Sequence, residues 1–132
     1  MVNEYKGKER RFFVRFDHEK PVHYNKVDLQ GDRNIISSFF KAMSKNISVA
    51  GILFIAKSEN IPEIYSLIML DIDYKIANIC QEIENRVLII NNKLLGKVVR
   101  VENNEDGTCS IGAAFITRFD PLSKELMKRI RK

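Results

Sequence analysis

An Asp-Gly pair, Asp106-Gly107, stands between two stretches of alternating residues and constrains the fold of this chain more than any other feature. Glycine takes the positive-φ position that a tight reversal needs, and aspartate bonds its own backbone just beyond. Before the turn, Leu95, Val99 and Val101 alternate with Arg100 and Glu102; after it, Ile111, Ala113 and Phe115 share a face. Period-two alternation is the signature of a strand with one buried side. The two stretches therefore read as an antiparallel hairpin, with Asn103–Thr108 as its turn.

Much of the remaining chain has the same character. In residues 11–17, Phe12, Val14 and Phe16 fall on one face and Arg11, Phe13 and Arg15 on the other. Pro21 interrupts this run and Val22–Val27 resumes it. Ala50–Ala56 is apolar, Lys57–Glu63 carries turn chemistry in Asn60 and Pro62, and Ile64–Ile72 is apolar on both faces, as in a strand buried between packed layers. Val87–Ile90 is a short run before a tight turn at Asn91-Asn92. Two segments stay open. In residues 31–45, Ile36, Phe39, Phe40 and Met43 follow the helical spacing i, i+3, i+4, i+7, yet the segment is short enough to be a loop feeding a strand. Ile76–Ile83 takes no assignment. At the C-terminus the pattern becomes helical: Asp120 suits an N-cap, Pro121 a first helical position, and Leu122, Leu126 and Ile130 form a stripe. Lys128, Arg129 and Arg131 suit the negative end of that helix. The class is all-β with a C-terminal α-helix, a small barrel or sandwich.

At 132 residues this is one domain, with a polar and basic arm over residues 1–10 and a single folded unit over 11–132. A chain of this length buries a core without metal or disulfide help. Cys80 and Cys109 match no zinc or redox spacing and read as reduced core residues, a disulfide being the lesser alternative. The start of the chain has no apolar targeting stretch, and no segment approaches the ~20 apolar residues that span a bilayer. The expected setting is cytoplasmic.

Catalytic chemistry has little to draw on. There is no phosphate loop, no His-x-x-x-His, and no Cys-x-x-Cys. His18 and His23 flank a proline and read as surface residues. Asp71 and Asp73 lack a histidine partner and an EF-hand pattern. The chain is expected not to be an enzyme and to carry neither cofactor nor metal. Its net charge of +5, concentrated at Lys6–Arg15 and Lys124–Lys132, suits an anionic partner. Nucleic acid is the weaker choice. Tryptophan is absent, and Phe12 and Phe16 lie on the face opposite Arg15, away from the mix of ring and cation that single strands favour.

Two groups of residues suit a small anion better. Arg11 and Arg15, four apart at the start of a strand, present forked, permanently charged donors that match phosphate oxygens or the guanine edge. Asn46 and Ser48, two apart in an extended segment, offer an amide and a hydroxyl from one face, and Gly51 permits close approach.

In this order the two groups resemble the signature of the PilZ family, Arg-x-x-x-Arg followed by Asp/Asn-x-Ser-x-x-Gly. Arg11-Phe12-Phe13-Val14-Arg15 matches the first half and Asn46-Ile47-Ser48-Val49-Ala50-Gly51 the second. Gly96–Val101 and Ile111–Phe115 are similar to the paired strands that close the family's barrel, so the resemblance extends over residues 8–132. It implies a six-stranded antiparallel β-barrel with a terminal helix, and a receptor for cyclic di-GMP. Arg11 and Arg15 would wrap over phosphates and guanine rings, Asn46 and Ser48 would bond a guanine edge, and Gly51 would keep the surface open. Arg10 is a secondary contact that in relatives bears on nucleotide stoichiometry. Binding would order the basic arm and regulate a downstream protein partner in motility, biofilm or virulence. The alternative is a PilZ-like module that binds protein and no nucleotide.

Overall fold

The computed structural model describes residues 16–17, 19–28, 35–36, 40–76 and 79–130. The basic arm over 1–10 lies outside the described residues, as do Arg10, Arg11, Phe12, Val14, Arg15, His18 and Phe39.

The strands are β1 (Phe16–Asp17), β2 (Pro21–Asp28), β3 (Ile35–Ile36), β4 (Phe40–Ile47), β5 (Gly51–Lys57), β6 (Leu67–Asp71), β7 (Ile89–Ile90), β8 (Lys93–Asn103) and β9 (Thr108–Phe115). Among the described residues two α-helices accompany them, α1 (Cys80–Arg86) and α2 (Leu122–Ile130). Antiparallel pairing runs β4-β5-β9-β8-β6-β2, and β2 then pairs with β4, closing a six-stranded barrel. β2 closes it by bonding on both edges, with Tyr24 opposite Leu70 of β6 and Phe40 of β4. The short β1, β3 and β7 pair with β4, β2 and β8 outside this ring. The barrel and terminal helix expected from the sequence are both present.

Turn chemistry accounts for the hairpins. Gly107 has φ +86°, and Asp106 Oδ1 accepts bonds from the Thr108 amide at 3.1 Å and hydroxyl at 2.6 Å. Asn91 and Asn92 both take positive φ, 54° and 65°, the pair of left-handed residues that a two-residue reversal between β7 and β8 requires. Segment 31–45 resolves toward strand: Ile35–Ile36 and Phe40 onward are β. The unassigned Ile76–Ile83 contains the start of α1, whose Ile83 is fully buried.

Side chains fill the barrel, as in other small closed barrels. Val22, Tyr24, Phe54, Ile68, Leu70, Leu94, Val98 and Ile111 are each wholly buried. The Tyr24 ring lies 5.4 Å from both Phe40 and Phe54, which places Phe40 against the core as well. Burial, together with the nearby Cys109 thiol, pushes the Tyr24 phenol up to about 12. Cys109 is buried, Cys80 half-buried, and both are free thiols.

A second apolar cluster forms on the outside of the barrel. Met69 of β6 and Leu95 of β8 face each other there and are covered by Leu88, Ile90, Ile116 and Leu126 of α2. This explains why β6 is apolar on both faces. Asp120 caps α2 through a 2.8 Å bond from the Leu122 amide to its Oδ1. The stripe expected on α2 needs correction, because Leu122 is about half exposed. The helix docks through Ser123, Leu126 and Met127 instead, with the Ser123 hydroxyl donating to the Arg118 carbonyl at 3.0 Å. No helix among the described residues is long and apolar enough to cross a membrane.

The alternation expected in β8 also needs correction. Leu95 is buried beneath α2, Val98 points into the barrel, and Val99 is exposed. Val99 is a bulge residue: Val98 pairs with Ala113 and Arg100 with Gly112, so Val99 is extra. A second bulge lies in β4, where Ser44 pairs with Phe54 and Asn46 with Leu53, leaving Lys45 extra.

Candidate functional site

The two bulges lie in one cross-strand row. Asn46 pairs with Leu53, Leu53 with Gly112, and Gly112 with Arg100, which carries the row across β4, β5, β9 and β8. The rows on either side are buried, Phe54 and Ile111 in one and Ile52, Ala113 and Val98 in the other, so this row faces out. An ordinary strand would contribute one outward residue at each end. The bulges contribute two, Lys45 with Asn46 and Val99 with Arg100. Bulges also sharpen local twist. Between these two ends the surface sinks into a recess of about 390 Å³.

Small residues make the floor. Gly51, Gly112 and Ala114 line the recess beside Leu53. A Cβ at Gly51 would overlap the Ala113 carbonyl oxygen, so glycine is required for β5 to approach β9 this closely. The stem of Arg100 lies across Gly112, where an added Cβ would sit 3.4 Å from the Arg100 Cβ. The guanidinium reaches along its own strand to Glu102, with bonds of 2.7 and 3.1 Å to one carboxylate oxygen. Both partners are more than half exposed. An exposed pair of this kind contributes roughly 0–1 kcal/mol, so an incoming anion can exchange for Glu102 at little loss.

The turn joining β4 to β5 forms the end of the recess nearest Asn46. The Ser48 amide donates to the Gly51 carbonyl at 2.8 Å, and the Ser48 hydroxyl oxygen accepts from the Ala50 and Gly51 amides at 3.1 and 3.3 Å. Ser48 is only 5% exposed. Its oxygen therefore holds the turn that sets the position of Gly51. We expect Ser48→Ala to leave two turn amides without their acceptor and to lower stability by about 1–3 kcal/mol, read by urea unfolding. Unchanged stability would show that the hydroxyl bonds are dispensable.

Of the residues expected at the site, Asn46, Ser48 and Gly51 come together here, all lining the recess. Arg10, Arg11 and Arg15 are outside the described residues. β1 nevertheless bears on them: Phe16, which follows Arg15 directly, pairs with Ile47, and Asp17 pairs with Asn46. Arg100 escaped the sequence reading as a site residue. Its outward position in a strand was legible, but every solvated charge shares that signal. Only the register across four strands sets it opposite Asn46. Asp71 and Asp73 are both exposed, and among the described residues no cluster of three or more His, Cys, Asp or Glu forms. No protein-family model matches the chain, and no curated protein matches it either.

Proposed function

We propose that this chain is a receptor for cyclic di-GMP, with the recess between Asn46 and Arg100 as the barrel half of its site and Arg11 and Arg15 as the other half. The observation that carries the reading is the pairing of β1 with β4, Phe16 to Ile47 and Asp17 to Asn46. It anchors the end of the segment bearing Arg11 and Arg15 beside the segment bearing Asn46, Ser48 and Gly51. The described chain thus resumes, directly after the Arg-x-x-x-Arg motif, on the strand that leads to Ser48 and Gly51.

The chemistry supports an anionic, planar ligand. Phosphates and guanine edges both take forked guanidinium donors. Arg100 adds such a donor from β8, and the floor of Gly51, Gly112 and Ala114 leaves room for a flat ring. Charge-assisted bonds contribute roughly 1.5–3 kcal/mol each, so four of them, less the ordering of an arm, support micromolar affinity or better. Ordering of the arm over the recess is the signal that a downstream protein would read. A second reading, a barrel that binds protein and no nucleotide, draws on Ser48, whose hydroxyl is already engaged by its own turn.

Isothermal titration with cyclic di-GMP, with GTP and cyclic AMP as controls, tests the first reading. Saturable and selective heat is expected, and Arg100→Ala should weaken it about three- to tenfold, less than a full charged contact because Arg100 is exposed and gives up its Glu102 pair on binding. Absence of heat at high micromolar protein would leave the protein-binding reading in its place.

A further inference from the structure

The barrel wall opens at a second place, on the same two strands but at their other end. The β4–β5 ladder stops at Met43 opposite Ile55. One and two places further, the same register would set Ala42 against Ala56 and Lys41 against Lys57. β4 continues there paired only with β2, and β5 paired only with β9. The reason is visible in the side chains. Like charges directly opposite each other disfavour pairing, and two facing alanines offer little apolar area to hold the strands together.

The gap is an open groove of about 370 Å³, within the usual size of small-molecule pockets of roughly 300–1,000 Å³. Its lining is apolar at the bottom, with Val22, Ala42, Ile55 and Ala56, and cationic at the rim, with Lys41 and Lys57 exposed. Met43, 44% exposed, borders it. Among the described residues neither Lys41 nor Lys57 forms an ion pair with a carboxylate. Rigid strands hold these groups in place, which preorganises them.

We propose that this gap is a ligand site, separate from the recess at Asn46, for an amphipathic anion: one carboxylate-like head bridging Lys41 and Lys57, and an apolar body over Ala42, Ala56 and Ile55. An anion between the two lysines removes the repulsion that parts the strands. The site does not depend on the nucleotide reading, since none of its residues lines the recess.

Decanoate serves as the probe, with decanol and acetate supplying the body or the head alone, and methyl NMR of the intact protein as the readout. Decanoate should shift the methyl signals of Met43, Ala42 and Ala56 saturably. Decanol and acetate should bind at least tenfold more weakly. The double variant Lys41→Gln/Lys57→Gln, exposed positions that leave the core intact, should weaken decanoate at least tenfold while the remaining spectrum is retained. Decanol matching decanoate, undiminished binding by the double variant, or absence of shifts at these three methyls would each overturn the proposal.

Discussion

Arg11→Ala and Arg15→Ala are each expected to weaken cyclic di-GMP binding at least tenfold while the thermal unfolding of the free protein stays unchanged. The size follows from the chemistry of the contact. A guanidinium bonded to a phosphate or guanine contributes roughly 1.5–3 kcal/mol, and a tenfold change in affinity corresponds to about 1.4 kcal/mol. The absence of a stability effect follows from placement, because the barrel closes through β2, β4 and β6, all of which come after Arg15 in the chain. Paired titration and thermal unfolding of both variants give the check. Full affinity in both would remove the nucleotide reading, and loss of the fold in either would show that the arginines serve the barrel rather than a ligand.

Phe54→Ala should lower stability by about 3–5 kcal/mol, the range for removing a fully buried aromatic ring. Phe54 has no exposed surface and sits 5.4 Å from the Tyr24 ring. Tyr24 belongs to the strand that closes the barrel, so the cavity would open directly beneath the closing seam. Urea unfolding measures the loss. A cost under about 1 kcal/mol would mean that the interior collapses around the vacancy and that the ring is not central to closure.

The hairpins were legible because each is set by local chemistry. Asp106-Gly107 and Asn91-Asn92 specify their turns with residues that tolerate positive φ, whatever surrounds them. Asp120 announced α2 in the same way. β4 was not legible. Its inward residues are Phe40, Ala42 and Ser44, then Ile47 after the extra Lys45, while the apolar Met43 faces out. A polar residue inside, an apolar one outside and a shifted count together erase the period of two, and the spacing of Ile36, Phe40 and Met43 then imitates a helix. In β8 the extra Val99 shifted the count again, which is why Leu95, Val99 and Val101 were grouped on a single face. Half of the site suffered from the same limit. Asn46, Ser48 and Gly51 are local in sequence and were found together, whereas Arg100 reaches them only through the long-range pairing of β5 with β9, Leu53 with Gly112, and then across to β8.

Bulges of this kind separate the evolution of the recess from that of the barrel. Losing one residue from an ordinary strand turns every later side chain to the wrong face. Losing Val99 would not: Val98 and Val101 would still point inward and Arg100 outward, now in an unbroken ladder with β9. A single-codon deletion at position 99 therefore removes one wall residue of the recess and leaves a barrel able to close, and a deletion at 45 straightens β4 in the same way. By the same route a plain barrel acquires such a recess through two insertions, each tolerated on its own. The recess and the barrel are thus inherited through different positions, and a lineage can shed or regain the first without losing the second.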